Sequence, residues 1–136
     1  MPFVLDASVA ASWFLQEVDH PHVGLAWEMV RAEPATVPTI WWYEIRNLLL
    51  MAERRKRLSS ADAETAWQKL RLLRIELDTI PDEQRSLGFA RRHTLSFYDA
   101  AYLELAQRLG YPLATRDHAL ARAAKHERVS LIGESP

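Results

Sequence analysis

The chain begins with a short apolar run that ends abruptly in an acid. Phe3, Val4 and Leu5 follow one another with no polar residue between them. This pattern is typical of a strand buried on both faces of a parallel sheet. Residues 7–15 have helical character, so Asp6 lies at the junction of a strand and a helix. Open α/β sheets bind their ligands beyond the carboxyl ends of the strands, which makes Asp6 the first candidate site residue.

Helical and strand patterns alternate along the rest of the 136 residues. The predicted helices span residues 7–15, 21–32, 40–57, 59–74, 83–93, 96–109 and 117–126, and the predicted strands span 3–5, 35–38, 76–80, 111–115 and 129–132. Strand 76–80 alternates polar and apolar residues, as edge strands do. No repeat or linker interrupts the pattern. It predicts one α/β domain, residues 1–136, built as an α/β/α sandwich on a mainly parallel sheet of about five strands.

Several local signals mark the ends of these elements. Thr39 is a predicted N-cap for helix 40–57, and Ser59 with Asp62 forms a predicted capping box for the next helix. Residues 19–22 contain two histidines around a proline, and we interpret them as a surface turn rather than a metal pair. Residues 133–136 are predicted to form a tail.

Composition narrows the chemistry. The chain has no cysteine, so disulfides and thiolate catalysis are excluded and a reducing compartment is allowed. No apolar run approaches the roughly 18 residues that cross a bilayer, and the N-terminus lacks the basic region of a signal peptide. We therefore expect a cytoplasmic protein without a membrane partner. The net charge is −1, so binding to nucleic acid needs a local basic patch.

Four carboxylates are candidate site residues, and three of them have an ordinary structural role available. Asp6 and Asp117 each lie between a predicted strand and a predicted helix, where Asp is a preferred N-cap. Asp99 follows Ser96 by three residues, the spacing of a capping box. Glu44 has no such role because it lies inside a helix among apolar residues. Each Asp, taken alone, fits a helix cap as well as it fits chemistry.

The four acids have a common chemical explanation. Parallel strands lie about 4.8 Å apart, so Asp6 and Asp117 at neighbouring strand ends are expected to approach each other. Crowded carboxylates raise one another's pKa and need a partner. A hard divalent cation provides one, and Mg²⁺ or Mn²⁺ suits a few carboxylates with water and phosphate. We predict that Asp6, Asp99 and Asp117 converge, with Glu44 close by, on such a site.

Four segments carry a resemblance to a known family. They are Asp6-Ala7-Ser8 after the first strand, Glu44 in the third helix, Phe97-Tyr98-Asp99-Ala100-Ala101-Tyr102-Leu103 opening a late helix, and Leu113-Ala114-Thr115-Arg116-Asp117-His118-Ala119-Leu120. In this order and spacing they resemble the motifs of PIN-domain ribonucleases. More narrowly, they resemble VapC, the toxin of bacterial and archaeal toxin–antitoxin pairs. The resemblance covers essentially the whole chain.

The resemblance implies a PIN-like fold and a metal-dependent endoribonuclease, the toxin of a type II toxin–antitoxin system. Carried over by position, the catalytic and metal-binding acids are Asp6, Glu44, Asp99 and Asp117, with Ser8 and Thr115 as auxiliary polar residues. The implied cofactor is Mg²⁺ or Mn²⁺. The implied partners are an RNA substrate, a cognate antitoxin protein and a second copy of the chain in a homodimer.

Basic residues for an RNA backbone occur in three places. Residues 54–57 are all cations, which complements a helix C-terminus and equally suits contact with nucleic acid. Residues 91–93 and Arg116 are further candidates. A solvated helix face explains such runs about as well.

Three other functions remain open at this point. A phosphoacceptor receiver domain gathers acids at strand ends, but it needs an acidic pair where Asp6 stands alone and a Lys after the last strand. A Mg²⁺ phosphatase of the haloacid dehalogenase type needs a second Asp where Ser8 stands. The third is a non-catalytic α/β binding module whose acids only cap helices.

Three consecutive aromatics precede Glu44. One helix cannot bury Trp41, Trp42 and Tyr43 on a single face. Trp41 lies one turn from Glu44 and shares its side, whereas Trp42 and Tyr43 are offset by about 200° and 100°. We predict that at least one of these two is exposed on an isolated chain, in a surface where a second copy or an antitoxin docks.

Overall fold

A computed structural model describes residues 1–17 and 20–134 of the chain. Residue 19 of the predicted turn and the last two residues of the predicted tail lie outside the described residues. The elements run in the order β1 (Val4–Leu5), α1 (Ala7–Phe14), α2 (Pro21–Ala32), β2 (Ala35–Pro38), α3 (Ile40–Arg54), α4 (Ser60–Leu72), β3 (Ile75–Asp78), α5 (Glu83–His93), α6 (Phe97–Leu109), β4 (Leu113–Ala114) and α7 (His118–His126).

The apolar run at the N-terminus forms a central strand of the sheet. The strand order is β3-β2-β1-β4, and every pairing is parallel. Val4 pairs with Thr36 on one side and with Leu113 on the other. Phe3, Val4 and Leu5 have no exposed surface, as a strand covered on both faces requires. The predicted α/β class, the parallel sheet and the edge position of β3 are confirmed.

The predicted fifth strand is reduced to a single contact. Leu131 forms an isolated parallel bridge with Leu113, and the ladder ends there because the chain turns. Gly133 makes the turn with φ of +86°. A Cβ at this position would lie 2.8 Å from Cβ of His22, so only glycine fits both the backbone angle and the space. In the part of the chain that the structure describes, the sheet therefore has four strands and one bridge, where the sequence predicts about five strands.

Helix boundaries follow the capping chemistry with two corrections. The Ser59 hydroxyl accepts from the backbone N–H of Asp62 at 3.0 Å, as predicted. Thr39, in contrast, has helical backbone angles (φ −58°, ψ −30°) and its side chain caps no N–H group. Helix α3 ends at Arg54 rather than at residue 57, because Lys56 adopts a left-handed φ of +59°. The basic run thus lies across the helix end and the following turn.

The helices cover the sheet and bury a continuous core. Helix α1 packs against α2 and α3, and α6 packs against α5, α7 and strands of the sheet. The core includes Tyr102, Ile45 and Leu103, all without exposed surface. Among the described residues, no helix is both long enough and apolar enough to cross a membrane.

A charged network fastens helix α6 to the edge strand. Glu104 is buried, and its Oε1 accepts from the backbone N–H of Asp82 at 2.7 Å. Arg108 donates from Nε to both Glu104 oxygens at 3.1 and 3.0 Å. The same guanidinium reaches the two oxygens of Asp78 at 3.3 and 2.6 Å. Because Arg108 serves both acids, it holds β3, the start of α5 and the end of α6 together.

Replacing Arg108 should therefore destabilise the fold strongly. Arg108→Met leaves the buried Glu104 carboxylate without its cation, and breaking a buried pair in this way costs about 3–5 kcal/mol. Urea unfolding at neutral pH measures this loss. The exposed Arg122 provides the matched control, and Arg122→Met should change the free energy of unfolding by about 0.5 kcal/mol or less. Equal unfolding midpoints for the two variants would contradict the assignment.

Candidate active site

Asp6 lies at the carboxyl end of β1 and is the most buried of the four candidate acids. Only 5% of its surface is exposed. Its Oδ2 accepts from the hydroxyls of Thr115 at 2.7 Å and Ser8 at 3.0 Å. It also caps α1, but the bond from the Ser8 N–H to Oδ1 is long, at 3.4 Å. The side chain is therefore held mainly by two hydroxyl donors, and capping is the weaker contact.

The two hydroxyls also join the first turn of α1 to the segment that follows β4. The Ser8 oxygen accepts from the Arg116 N–H at 3.2 Å, and the Thr115 oxygen accepts from the Asp117 N–H at 3.0 Å. Each hydroxyl thus donates to Asp6 and accepts from a backbone N–H of the segment that follows β4. Ser8 and Thr115, predicted as auxiliary residues, are the groups that fix Asp6 relative to the segment carrying Asp117.

Asp117 and Asp99 both lie at helix starts. Asp117 caps α7, accepting from the Leu120 N–H at 2.8 Å through Oδ1. Asp99 is in the first turn of α6, and its backbone N–H donates to the Ser96 hydroxyl at 3.1 Å. Both side chains are part-exposed. The structural roles predicted for these two segments are thus present, and they leave the carboxylates at the protein surface.

Glu44 is held by a residue that sequence reasoning did not identify as part of the site. The Tyr102 hydroxyl donates to Glu44 Oε1 at 2.9 Å. The Tyr102 side chain is fully buried, so it forms a rigid link between α6 and α3. The available signal was spacing, because Tyr102 lies three residues after Asp99 and so shares its face of α6.

The electrostatics of the acids are linked. Burial raises the pKa of Asp6, and the charge of Asp117 adds to the effect. Burial also raises the pKa of Asp99, with Asp117 and Asp6 contributing. The pKa of Glu44 is raised by burial first and then by Asp6 and Asp99. The four carboxylates therefore act on one another across the ends of β1, β4, α3 and α6.

The acids provide suitable chemistry for a divalent cation without forming a finished ligand cage. In residues 1–17 and 20–134, no three carboxylate or imidazole groups are close enough to hold an ion as they stand. Mg²⁺ commonly uses one or two carboxylates and fills its other positions with water and substrate phosphate. Hard oxygen donors that repel one another fit that requirement. Metal binding by these residues stays a prediction.

Arg116 brings positive charge next to the acids, and two further residues hold it. Its Nη1 donates to the Ser12 hydroxyl at 2.7 Å and to Glu17 at 2.9 Å. Glu17 also pairs with Arg57. Sequence reasoning missed Ser12 and Glu17, although Ser12 lies one helical turn after Ser8. Part of the positive charge predicted at Arg116 and at residues 54–57 is thus offset by one carboxylate.

The second predicted basic segment, residues 91–93, is also partly compensated. Arg92 pairs with Glu127 at 2.7 Å, and His93 Nε2 lies 2.6 Å from the same Glu127 oxygen. This contact ties the end of α5 to the end of α7. It favours a structural role for the segment.

A groove lies apart from the four acids. It has a volume of about 440 Å³ and an apolar wall that includes Trp13, Trp27 and Leu58, with Arg57 and Lys69 beside it. The Trp13 and Trp27 rings meet edge to face at 5.3 Å. None of the candidate acids lines this groove, so it belongs to a different surface of the molecule.

The exposure predicted for the aromatics of α3 is confirmed, and the docking of a partner on them stays a prediction. Trp41 is 2% exposed, whereas Trp42 and Tyr43 are 44% and 66% exposed on the isolated chain. The start of α6 adds two exposed rings that were not predicted, since Phe97 and Tyr98 are 48% and 58% exposed. Exposed aromatics thus directly precede Glu44 on one helix and Asp99 on the other.

Comparison with known proteins supports the resemblance. The profile of the family described as "PIN domain" matches residues 3–126. Ribonuclease VapC9 of Mycobacterium tuberculosis is 32% identical over 117 residues, which cover 84% of this chain and 84% of that protein. Ribonuclease VapC3 of Pyrobaculum aerophilum is 28% identical over 127 residues, covering 89% of this chain and 93% of that protein.

Solved structures agree with the fold. The crystal structure of PAE2754 from Pyrobaculum aerophilum superposes with a TM-score of 0.69 at 22% identity, covering 90% of this chain and 84% of that one. FitAcB from Neisseria gonorrhoeae gives a TM-score of 0.65 at 18% identity, covering 98% and 97%. A toxin–antitoxin complex from Klebsiella pneumoniae gives 0.55 at 18% identity, covering 85% and 86%.

The raised pKa of Asp6 predicts a pH-dependent cost to the fold when no divalent cation is present. The native state holds the proton of Asp6 more tightly than the unfolded chain does, so stability is lost as pH rises from about 4 through the native pKa. Asp6→Asn removes this loss. In EDTA we expect the variant to melt roughly 2–5 °C above the wild type at pH 7, with the gain vanishing toward pH 4.

Thermal melts across this pH range measure the difference between the two proteins. Asp62→Asn is the control, because Asp62 is exposed and lies in the first turn of another helix, α4; it should show no pH-dependent gain. An Asp6→Asn variant that is less stable than the wild type at pH 7 would contradict the electrostatic account.

Proposed function

The chain belongs to the PIN-domain family, and from that premise we propose that it is a Mg²⁺-dependent endoribonuclease. In this proposal it hydrolyses RNA phosphodiester bonds and is the toxin of a type II toxin–antitoxin pair. The observation that carries the proposal is the electrostatic linkage of the acids around Asp6, which helix capping does not require. The relatives named ribonuclease VapC, which align along most of the chain, give further support.

The four acids are the residues that would hold the metal ion in the proposed site. Asp6, Asp99, Asp117 and Glu44 are the proposed ligands of Mg²⁺ or Mn²⁺ and the catalytic acids. When bound, such an ion lowers the pKa of water and offsets charge on the phosphoryl oxygens.

The remaining site residues position the acids. Ser8 and Thr115 hold one oxygen of Asp6 in place, and Tyr102 holds one oxygen of Glu44. These contacts keep the acids oriented before substrate arrives, which avoids reorganisation during the reaction.

A non-catalytic binding module is the second candidate. The capping bonds of Asp6 and Asp117 favour it, because they give both acids a structural use. Burial of Asp6 argues against it: an exposed Asp caps a helix without desolvation, whereas this carboxylate loses its water and is repelled by Asp117. The receiver and phosphatase alternatives have no support from the family match.

The proposed protein partner is a small antitoxin that covers the groove beside Trp13 and Trp27. Structures of a toxin–antitoxin complex and of FitAcB share the fold. The groove combines an apolar wall with Arg57 and Lys69, which suits an amphipathic segment that carries acidic residues. Such a segment buries apolar area, pairs with Lys69 and competes with Glu17 for Arg57.

We also propose a homodimer in the cytoplasm, where RNA is available. The exposed side of α3 around Trp42 is the candidate contact, because Trp42 and Leu50, about two turns later, are both large, apolar and part-exposed. Aromatic residues with Arg are enriched at such contacts, and Arg46 lies over the Trp42 ring at 3.7 Å.

Charge removal at the acids tests the activity directly. Asp6→Asn and Asp99→Asn should each lower Mg²⁺-dependent RNA cleavage by at least about 100-fold, because the metal loses a charged ligand while Asn retains the size of the side chain and, at position 6, its capping ability. Cleavage of a labelled RNA is followed with Mg²⁺ and with EDTA, and circular dichroism checks the fold.

Asp62→Asn is a matched control for Asp99→Asn. Both acids occupy the same position three residues after a capping serine, but Asp62 has no proposed chemistry. We expect it to cleave like the wild type. If Asp6→Asn and Asp99→Asn also cleave like the wild type, the acids are caps and the binding-module function is the better one.

A further inference from the structure

Arg116 is anchored beside the acids, but its charged end lies elsewhere. Its backbone N–H donates at 3.2 Å to the hydroxyl of Ser8, in the first turn of α1, and the residue that follows it is Asp117. Its Nη1 atom donates at 2.7 Å to Ser12, one turn further along α1. Four residues of helix span about 6 Å. The side chain therefore runs along α1 and carries the guanidinium away from Asp6.

The reach of the Arg116 charge agrees with this placement. Burial lowers the pKa of His22 in the first turn of α2, and the charges of His20 and Arg116 lower it further. Burial raises the pKa of Asp6 and Asp99, and the charges that add to this effect are those of other acids. The cation next to the acids in the sequence thus acts on a neighbouring helix.

Glu17 provides the charged contact that keeps the guanidinium in this place. Its Oε2 accepts from Arg116 Nη1 at 2.9 Å, and its Oε1 accepts from Arg57. Ser12, the other partner of the Arg116 side chain, is uncharged, so its hydrogen bond is the weaker of the two. One carboxylate therefore serves two guanidinium groups, which compete for it.

Arg57 connects this contact to the groove, since it is one of the residues that line the groove. Both members of the Glu17–Arg57 pair directly follow a non-glycine residue in the left-handed conformation, Gln16 with φ of +58° and Lys56 with φ of +59°. Such angles are unfavourable for a residue with a side chain, so these two turns need tertiary contacts to hold them. The pair provides one, and it joins the edge of the groove to Arg116.

We propose that Glu17 is a positioning residue that withholds Arg116 from the RNA phosphate, and that Arg57 weakens this restraint by competing for Glu17. The inference rests on the proposed nuclease function and adds its regulation. Released from Glu17, the guanidinium turns back towards Asp117 and pairs with phosphate oxygens, for which its geometry is suited. An acidic partner segment that takes Arg57 leaves Glu17 to Arg116 alone. Occupation of the groove thus lowers RNA affinity without covering the acids.

Removing the charge of Glu17 should strengthen RNA binding. Glu17→Gln keeps an oxygen acceptor for Arg116 but removes the ion pair, so the cation becomes available to phosphate. We expect Kd for a short labelled RNA, measured in EDTA to prevent the proposed cleavage, to fall about fivefold. The slope of log Kd against log salt should steepen by about one, because one phosphate contact is gained. A merely structural role predicts equal or weaker binding and no change of slope.

Two further variants show whether the gain acts through Arg116. Glu28→Gln is the matched control, because it removes one negative charge from an exposed ion pair with Arg31, and it should leave Kd unchanged. In an Arg116→Gln background, Glu17→Gln should produce no gain. A gain that persists without Arg116 would come from net charge alone and would overturn the proposal.

Arg57→Gln tests the connection to the groove, because it removes the competing cation as an acidic partner would. We expect Kd to rise about fivefold in the otherwise wild-type protein and to stay unchanged in the Glu17→Gln background. A rise that persists in that background would mean that Arg57 contacts RNA itself and that the coupling through Glu17 is wrong. Circular dichroism checks that each variant is folded.

The outcomes separate this inference from the function beneath it. If the wild-type protein cleaves RNA with Mg²⁺ but Glu17→Gln binds RNA no more tightly, Glu17 only ties the segments together and only this inference fails. If the wild-type protein cleaves no RNA, the proposed function fails, and the regulation proposed for it fails with it.

Discussion

The site depends on one buried charge at the end of a central strand. Asp6 lies where β1 ends, almost without solvent, and a carboxylate in such a place must be hydrogen-bonded or paired. Ser8 in the first turn of α1 and Thr115 directly after β4 satisfy it. Because β1 and β4 are adjacent, meeting that need also fixes the segment of Asp117. The hydrogen bonds of one side chain thus order both segments of the proposed active site.

Because the acids must be satisfied by neighbouring residues, the same side chains serve both the fold and the site. Tyr102 is part of the core, yet its hydroxyl holds Glu44. Asp117 begins α7, yet its charge raises the pKa of Asp6 and Asp99. Repulsion between these carboxylates at the helix starts is unfavourable, and an uncharged capping residue would avoid it. Strain of this kind, concentrated at one edge of a sheet, is typical of sites that meet a ligand of opposite charge.

Much of this architecture could be predicted from local sequence chemistry. The apolar run at residues 3–5 specified a strand buried on both faces, and Ser59 and Ser96 specified helix starts, because each signal is local and strong. Thr39 failed as a cap because its backbone is already helical. The last strand shrank to one bridge because Gly133 turns the chain. Both depend on backbone angles that residue type alone does not determine.

The sequence predicted which acids are candidate site residues, but it did not predict the contacts that hold them. Asp6, Glu44, Asp99 and Asp117 emerged from their places at strand ends and in helices. The Ser12–Arg116–Glu17 contacts are long-range and leave no pattern in the sequence. Helical spacing could have placed Tyr102 on the same face of α6 as Asp99, but it could not have shown that Tyr102 contacts Glu44 on another helix. Pairings between distant elements need the fold before they can be recognised.

The central claim is that these acids form one divalent metal site. Calorimetric titration of Mn²⁺ into the wild type, Asp6→Asn and Asp62→Asn tests it most directly, without depending on any RNA. The account predicts saturable binding to the wild type and Asp62→Asn, and at least a tenfold weaker affinity for Asp6→Asn. Equal binding by all three proteins, or none by the wild type, would contradict it.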